Sequence, residues 1–297
     1  MKGTLIMGLL LTAVTVLSYG NGVNQAQKPV ISESEGIFLT AVGQFEVYML
    51  VESQREGNAG ILVGVDEAVL QQYVPEGGFM HTANAFLIKA PGRNILVDSG
   101  TGAGGIILEK IKKLRVRPEQ IETVLITHLH GDHFGGLLKG GEAAFPNAKV
   151  YLAAREYTHF IETQVNPGAA AALAPFGGNV ETFEPAALGS TLNEIVPGIK
   201  AIASYGHTPG HTVFLVEDGG DKLIIAGDFL HVGLVQFARP DISASYDMDR
   251  EEAAASRRQI IGYAAENKIP IGGMHVVYPG IGTVEADGDG FRFTPLE

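Results

Sequence analysis

Hydrophobic runs of strand length alternate with helical patterns along most of this chain. Short apolar or alternating runs predict strands, whereas apolar positions three or four residues apart predict helices. Strand groups that are twice followed by helices indicate two similar halves, each a sheet covered on one face by helices. The predicted strands are 43–51, 59–65, 83–88, 94–98, 124–127, 149–152, 199–203, 213–216 and 223–226, with short strands near Ile269 and Phe291. The predicted helices are 67–73, 106–114, 155–163 and 249–267.

Three segments interrupt this pattern. Pro91-Gly92 predicts a turn between two strands. The run Gly100–Gly105 fits the dinucleotide pattern G-x-G-x-x-G, but a turn between a strand and a helix explains the same glycines, and no acidic residue is well placed to bind a ribose. The alanine-rich segment 167–178 has helix breakers at both ends and is a candidate lid or pocket wall.

The N-terminal segment has the pattern of an export signal. Lys2 precedes an apolar stretch at 5–17, and the small residues of Ser18-Tyr19-Gly20 suit signal-peptidase cleavage. The apolar stretch falls short of the roughly 20 residues that a membrane-spanning helix needs, although a retained anchor is the alternative. We therefore expect a secreted or periplasmic protein without membrane contact after cleavage. The expected segments are a signal peptide at 1–20, a linker at 21–36 and one domain at 37–297.

Composition and charge exclude several kinds of chemistry. The 297 residues contain no cysteine, so the chain has no thiolate nucleophile, no thiolate ligand and no disulfide. A formal charge of −12 disfavours nucleic acid and anionic membranes as partners. The sequence also lacks a G-x-S-x-G run, which leaves a serine hydrolase without a candidate nucleophile. The partner that we expect is a small-molecule substrate.

The candidate chemistry is concentrated in the run Thr127-His128-Leu129-His130-Gly131-Asp132-His133, which follows a predicted strand. In a loop, His128 and His130 can point one way while Asp132 and His133 point another. Imidazole and carboxylate are the donors that Zn²⁺ and similar ions accept when thiolate is absent. The run therefore predicts a site for two adjacent metal ions.

Three later segments also place a histidine or an aspartate directly after a predicted strand. Loops that follow strands cluster at one edge of a sheet. Taken alone, each segment is a weak signal, because a lone histidine after a strand is more often a hydrogen-bonded structural residue. The segments are Gly206-His207-Thr208-Pro209-Gly210-His211-Thr212, Ile225-Ala226-Gly227-Asp228 and Gly273-Met274-His275.

The spacing of these motifs resembles that of the metallo-β-lactamase superfamily, from about Thr82 to the C-terminus. The part that runs from Gly206 through Gly227-Asp228-Phe229-Leu230-His231 to His275 is more particularly similar to the methyl parathion hydrolase branch, which is close to secreted lactonases. The resemblance implies an α/β fold, the four-layer αββα metallo-β-lactamase sandwich. It also makes a homodimer a family-level expectation.

The resemblance further implies two sets of metal ligands that share one residue. Asp98 would support the site without binding metal, and His211 would be structural. The implied cofactors are two divalent metal ions, with zinc expected, although nitrogen and oxygen ligands also admit Mn²⁺, Co²⁺ or Fe. One ion would be held by His128, His130 and His207, the other by Asp132, His133 and His275, and both by Asp228.

The implied mechanism follows from the charge of the ions. Two ions that share a water lower its pKa from about 15.7 towards neutrality, which gives a metal-bridging hydroxide. Asp132 would accept a proton from that hydroxide during attack. In acyl-homoserine-lactone hydrolases of the superfamily, a tyrosine three residues after the bridging aspartate helps to bind the substrate carbonyl. Here that position is His231, whose N–H could donate a comparable hydrogen bond. The candidate catalytic residues are therefore Asp132, Asp228 and His231.

Together these features predict an exported dinuclear hydrolase of lactones or other carboxylic esters, with phosphotriesters as further substrates. The alternatives are a β-lactamase or a thioesterase of the same fold, or a non-catalytic or redox metal-binding protein. Cysteine-ligand β-lactamases are excluded, because Asp228 occupies the position of their cysteine. A glyoxalase-II-type thioesterase shares the bridging aspartate, but its C-terminal basic binding segment has no clear counterpart here.

Apolar and basic residues near these motifs complete the prediction. An apolar substrate pocket would lie close to the ligand loops, although most such side chains in proteins simply belong to the core. Arg257-Arg258, in the last long helix, is predicted to lie on a solvated face. The candidate pocket residues are Phe134, Phe229, Leu234 and Phe237.

Overall fold

A computed structural model describes residues 32–102 and 105–297 of the chain. The predicted signal peptide and the predicted linker up to residue 31 lie outside the described residues. In the last part of the linker, Glu33–Glu35 form a 3₁₀ turn that is capped by the side chain of Ser32. The first strand begins directly afterwards, at Ile37.

Strands make up the centre of the structure. Most of the predicted strands overlap an observed strand, and 199–203 matches its prediction residue for residue. The predicted strand 59–65 is mostly wrong, because the side chain of Asn58 accepts a hydrogen bond from Gly60 N and caps a 3₁₀ turn, Ala59–Ile61. In the described residues the strands are β1 (Ile37–Val42), β2 (Phe45–Asn58), β3 (Leu62–Val63), β4 (Gly78–Ala90), β5 (Arg93–Val97), β6 (Ile121–Leu125), β7 (Leu138–Lys139), β8 (Glu142–Ala143), β9 (Lys149–Ala153), β10 (Val180–Phe183), β11 (Glu194–Val196), β12 (Ile199–Ala203), β13 (Thr212–Asp218), β14 (Asp221–Ile225), β15 (Ser243–Ala244), β16 (Ile271–Gly272), β17 (Ile281–Asp287) and β18 (Gly290–Pro295).

Helices cover the strands. Asp66 caps the first helix by accepting a hydrogen bond from Val69 N at 2.9 Å, so this helix has its predicted bounds. The predicted helix 155–163 is instead a short α-helix that continues into a π-helix, Thr158–Glu162. No described helix is long and apolar enough to cross a membrane. The α-helices of the described residues are α1 (Glu67–Tyr73), α2 (Ile107–Lys113), α3 (Gly131–Phe134), α4 (Ala154–Tyr157), α5 (Pro167–Leu173), α6 (Gly233–Gln236) and α7 (Arg250–Asn267).

The first sheet brings several loops to one edge. Its strand order is β1-β2-β4-β5-β6-β9-β10. The predicted Pro91-Gly92 turn joins β4 to β5, which are antiparallel, whereas β5, β6, β9 and β10 are parallel. Because parallel strands end at the same edge, Asp98, the loop 126–130 and helix α4 all emerge there.

The second sheet delivers its loops to an edge in the same way. Its strand order is β11-β12-β13-β14-β16-β17-β18. Strands β12, β14 and β16 run in one direction and end shortly before His207, Asp228 and His275. At the far end of β13 and β14, Gln44 N of the first sheet's β1–β2 turn donates a hydrogen bond to Asp218 Oδ2 at 2.7 Å.

The two sheets pack face to face across an apolar core. Phe86 and Ile95 of the first sheet and Phe214 and Ile225 of the second belong to this core. Helices α2 and α5 pack on the outer face of the first sheet, and helix α7 packs on the outer face of the second. Burial of each such side chain contributes roughly 1.5–3 kcal/mol. The fold is the predicted four-layer αββα sandwich.

Candidate functional site

Four side chains converge where the loop edges of the two sheets meet. His128 Nε2, His130 Nδ1 and His207 Nε2 lie 3.0 to 3.2 Å from one another. Hydrogen bonds cannot account for all three contacts, because one ring nitrogen carries at most one proton. Three imidazole lone pairs that point at one centre instead suit a cation. Asp228 Oδ2 completes this first group, at 3.5 Å from His207 Nε2 and 3.7 Å from His128 Nε2.

Asp228 also belongs to a second group, with Asp132, His133 and His275. Asp228 Oδ1 lies 3.1 Å from His133 Nε2, and Asp228 Oδ2 lies 2.9 Å from His275 Nε2. Among the described residues, His133 Nε2 and Asp228 Oδ1 are buried and lack an aligned hydrogen-bond partner. Such atoms are costly to bury unless something binds them. The two groups therefore fit two divalent cations that share Asp228.

Four of the five histidines in these groups are oriented from behind by hydrogen bonds. When the outer ring nitrogen donates a proton, the tautomer is fixed and the inner lone pair is free for a cation. Asp98, the residue that the resemblance places behind the site, also accepts hydrogen bonds from Thr127 N at 2.8 Å and Thr127 Oγ1 at 2.7 Å. The outer contacts are His133 Nδ1 to Asp98 Oδ2 at 2.6 Å, His207 Nδ1 to Asp247 Oδ1 at 3.0 Å, His275 Nδ1 to Thr82 O at 2.6 Å and His128 Nδ1 to Thr127 Oγ1 at 3.1 Å.

Burial and charge set the protonation of the two groups in opposite ways. Burial lowers the pKa of His130 to about 4 and holds the pKa of His128 well below its ordinary value. Burial also opposes protonation of His133, but the neighbouring carboxylates, Asp228 first, outweigh it and raise the pKa of His133. Burial opposes ionisation of Asp228, but His133 and His275 outweigh it and lower the pKa of that carboxyl. His128 and His130 are thus neutral imidazoles, and the shared Asp228 is ionised.

His211 lies behind this centre and outside both groups. Its Nδ1 donates a hydrogen bond to Ser204 O at 2.8 Å, and its Nε2 accepts one from Asp228 N at 2.9 Å. Gly227, directly before Asp228, has a φ of +55°, and a Cβ at this position would lie 2.5 Å from His211 Nε2. His211 therefore holds the backbone of the shared aspartate.

His231 adjoins both groups without belonging to either. Its Nε2 lies 3.4 Å from Asp228 Oδ2, and its ring stacks on that of His275 with centroids 5.0 Å apart and planes inclined by 20°. Burial lowers the pKa of His231 to about 4, so the ring is neutral. Its Nδ1 has no hydrogen-bond partner among the described residues. A further cluster of His207, His231 and Asp247 is explained by the hydrogen bond from His207 to Asp247.

An apolar pocket of about 490 Å³ opens beside His231 and His275. Of the predicted pocket residues, Leu234 and Phe237 line it, whereas Phe134 and Phe229 pack in the core. The segment 167–178, predicted as a lid or pocket wall, does not line this pocket, because helix α5 packs against the first sheet. The apolar wall includes Phe79, Val232, Leu234, Phe237, Val276, Phe291 and Phe293.

The prediction of a solvated face is wrong for Arg257. This side chain is fully buried and donates hydrogen bonds to the carbonyl oxygens of Phe229, Pro240 and Ile242, at 2.5 to 2.9 Å. It also donates to Asp247 Oδ2 at 3.2 Å, on the side of that carboxylate away from His207. Arg258, the next residue, is exposed as predicted.

Two buried acidic residues of this region, Asp247 and Glu156, are missed by sequence reasoning. Asp247 lies in Asp-Met-Asp just before α7, which has the appearance of an ordinary helix-capping sequence. Glu156 lies in Ala-Arg-Glu-Tyr, which has the appearance of an exposed helix. Only tertiary contacts bury them, so no local pattern distinguishes them from surface acids.

Comparison with known proteins points in the same direction as the geometry. The family model described as the metallo-beta-lactamase superfamily matches residues 80–280. The solved structure of a hydrolase, AbOPH, described as in the beta lactamase superfamily, is similar with a TM-score of 0.79 and 28% sequence identity. That similarity covers 88% of this chain and 98% of the other.

Two curated relatives match part of the chain. A hydroxyacylglutathione hydrolase of Francisella tularensis is 34% identical over 134 residues, which are 43% of this chain and 42% of the relative. An N-acyl homoserine lactonase of Bacillus cereus is 28% identical over 142 residues, which are 42% of this chain and 49% of the relative. This chain thus spans about half, or less, of each relative's length. Because the family match contains both sets of converging side chains, this chain belongs to the metallo-beta-lactamase superfamily.

Proposed function

We propose that this protein is a dinuclear metal-dependent hydrolase that opens lactones or other carboxylic esters with an apolar substituent. The observation that carries the proposal is the position of Asp228, which belongs to both candidate metal groups and lies 3.4 Å from a neutral histidine at the end of an apolar pocket. The pocket and the metal groups therefore form one continuous site.

The ligand chemistry supports divalent cations, and we propose zinc. The first group offers three imidazoles and one carboxylate, and the second offers two imidazoles and two carboxylates. Zn²⁺ accepts such nitrogen and oxygen donors in catalytic sites. When bound, two divalent ions lower the pKa of a water and polarise a substrate oxygen. His128, His130 and His207 would hold one ion, Asp132, His133 and His275 the other, and Asp228 both.

The protein's own residues would orient the substrate. His231 is neutral, and a ring N–H could donate a hydrogen bond to the substrate carbonyl oxygen. Asp132, a third exposed and at the mouth of the second group, would accept the proton released during attack. The buried carboxylate of Asp228 lies between them and would hold both metal positions at a fixed spacing.

The walls of the pocket favour an uncharged apolar substituent. Among the lining residues, Arg292 is the one lysine or arginine, and its guanidinium pairs with Glu285 at 3.0 Å. A glutathione thioester carries carboxylates that would need free cations, which this wall does not present. Lactones and esters with alkyl or aryl groups fit better, and aryl phosphotriesters are uncharged and belong to the same proposal as secondary substrates.

A substrate panel tests the proposal. The zinc-reconstituted protein would be assayed with lactones of increasing chain length, aryl esters, an aryl phosphotriester, a glutathione thioester and a β-lactam. We expect lactones or esters to be hydrolysed fastest, and expect both Asp228→Asn and chelation to abolish that activity. Faster turnover of the thioester or the β-lactam would reassign the function within the fold, whereas one redox-active iron per chain would favour a redox role.

We also propose that the protein is exported and acts as a secreted or periplasmic enzyme, with a homodimer as its expected assembly. The support for export is the basic residue, apolar stretch and small residues of 2–20. Intact mass of the protein from the periplasm of an expression host would lack residues 1–20 if the leader is cleaved. A full-length protein in the membrane fraction would instead show an anchor.

A further inference from the structure

Glu156 is a buried carboxylate that the proposed catalytic site does not use. It lies in helix α4, directly after strand β9, and its side chain is shielded completely from solvent. It is absent from both candidate metal groups. No lysine or arginine of the described residues forms an ion pair with it.

The carboxylate instead joins the two histidine loops. Glu156 Oε1 accepts a hydrogen bond from Leu129 N at 2.7 Å, and Leu129 stands between His128 and His130. Glu156 Oε2 accepts hydrogen bonds from Thr208 Oγ1 and Gly210 N, each at 2.8 Å. One side chain therefore connects the loops that carry all three histidines of the first group.

Packing keeps these loops directly on helix α4. A Cβ at Gly210 would lie 2.3 Å from the backbone nitrogen of Glu156, so no larger residue fits at this position without a shift. The side chains of Glu156 and Thr208 are both fully buried. The hydrogen bonds of Glu156 are therefore made in a dry environment, where each one is stronger and its loss is more costly.

A buried carboxylate without a cation is costly, and its retention calls for a role. Burial raises the pKa of Glu156, although its three hydrogen bonds act in the opposite direction. An apolar residue of similar size would avoid the desolvation cost but could not bind two backbone N–H groups at once. What the carboxylate specifically provides is a fixed spacing between two loops from opposite halves of the fold.

We propose that Glu156 is a positioning residue that sets the geometry of the first metal group by holding the His128–His130 loop against the His207 loop. This inference rests on the proposed two-metal centre. The second group is held by other residues: His133 by Asp98, and His275 by the carbonyl of Thr82. Loss of Glu156 should therefore weaken one metal position and spare the other.

The test uses substitutions that preserve shape. In Glu156→Gln, either Leu129 N or Gly210 N loses its acceptor, because the two N–H groups bind different oxygens and one of these becomes an amide nitrogen. Thr208→Val removes only the hydroxyl donor. Thr212→Val is the matched control, because its buried hydroxyl donates to Gly210 O and does not contact Glu156.

Zinc affinity would be measured by competition with a chromophoric chelator, and the cobalt-substituted proteins would be followed by their visible spectra. We expect wild-type protein to bind two equivalents. In Glu156→Gln and in Thr208→Val, one of the two zinc equivalents should bind about 10- to 100-fold more weakly, as is typical when a group that supports a metal ligand is lost. Thr212→Val should retain both affinities.

The outcomes separate this inference from the proposed function. Equal weakening of both zinc equivalents, or unchanged zinc affinities in both variants, would overturn the role of Glu156. The proposed hydrolase function would still hold if the wild-type protein binds two ions and hydrolyses esters. Wild-type protein that binds fewer than two ions would overturn both. If Glu156→Gln does not fold, Thr208→Val decides, since it deletes one hydroxyl and keeps the volume of the side chain.

Discussion

The imidazole of His211 accepts a hydrogen bond from the backbone N–H of Asp228 at 2.9 Å. The same ring donates to Ser204 O, so it is a neutral bridge between a strand end of the second sheet and the shared carboxylate. His211, four residues after the candidate ligand His207, thus supports the candidate metal centre through the backbone of Asp228.

Replacement of His211 tests this bridge. We expect His211→Ala to lower the free energy of unfolding by about 2–4 kcal/mol, because it leaves Asp228 N without an acceptor and opens a cavity. Urea unfolding would measure the loss. His159→Ala, at a partly exposed histidine, is the control and should change stability by less than about 1 kcal/mol. Equal losses in the two variants would show that the bridge contributes nothing specific.

Arg257 and Arg258 offer a matched pair of adjacent arginines. Arg257→Lys keeps the charge but cannot bind three carbonyl oxygens and Asp247 at once, so we expect a loss of about 2–4 kcal/mol in the free energy of unfolding. Arg258→Lys, on the exposed side, should change it by less than about 0.5 kcal/mol. Thermal or urea unfolding of both proteins measures the difference. A tolerated Arg257→Lys would mean that water or a neighbouring group replaces the guanidinium.

Leu234 tests the apolar pocket as the determinant of substrate preference. This side chain lines the pocket and is 60% exposed, so its replacement should leave the fold intact. We expect Leu234→Asn to lower kcat/KM for long-chain esters by about three- to tenfold, since apolar contact area is lost, and to leave short-chain esters unchanged. Val165→Asn, at an exposed apolar residue outside the pocket, is the control. A uniform loss for all chain lengths would contradict the assignment.

The stability of the metal-free protein should depend on pH through Glu52. Burial raises the pKa of Glu52, whose carboxylate accepts a hydrogen bond from Thr101 N at 2.8 Å. Because the folded state binds this proton more tightly than the unfolded chain, the contribution of Glu52 to stability falls as pH rises from the ordinary glutamate pKa through the raised one. We expect Glu52→Gln to gain stability relative to wild type over that interval, measured by urea unfolding in chelator between about pH 4 and pH 8.

Glu109 provides a control with the opposite sign. It is exposed, and its hydrogen bond with Lys112 lowers its pKa, so its small contribution is present above the ordinary glutamate pKa and is lost as pH falls. Glu109→Gln should therefore lose stability relative to wild type as pH rises towards the ordinary glutamate pKa, and should show no gain over the interval in which Glu52→Gln gains stability. If the stability of Glu52→Gln depends on pH in the same way as that of Glu109→Gln, burial does not govern the pKa of Glu52.

The sequence predicted the elements whose signals are local. Helix α1 and strand β12 have their predicted bounds, because a capping aspartate defines the first and an uninterrupted apolar run the second. Strands β1, β7, β8, β10, β11, β15 and β17 were not predicted. Strand β16 has only two residues, Ile271 and Gly272, and its extended conformation depends on pairing with β14 and β17. Such pairing between distant segments leaves no periodic pattern in the chain.

The residues of the candidate site were likewise predicted only where the sequence carries a local signal. The ligand residues that the motifs and the resemblance singled out converge as two groups, since each lies shortly after the end of a strand. Arg257 was misjudged, and Asp247 and Glu156 were not found, because a charged residue in or near a helix is normally solvated. Their burial is fixed by Phe229 and Ile242 around the guanidinium and by two loops around Glu156, and these contacts exist only after the halves of the fold have come together.

The division of the two groups between the sheets also has a consequence for biosynthesis. A nascent chain that has folded only through β9 contains His128, His130, Asp132 and His133, but neither the carboxylate that both groups share nor the two remaining histidines. Such an intermediate has an incomplete set of donors for either cation. Metal uptake is therefore coupled to completion of the second sheet, so a partly synthesised chain does not compete with the finished protein for divalent cations.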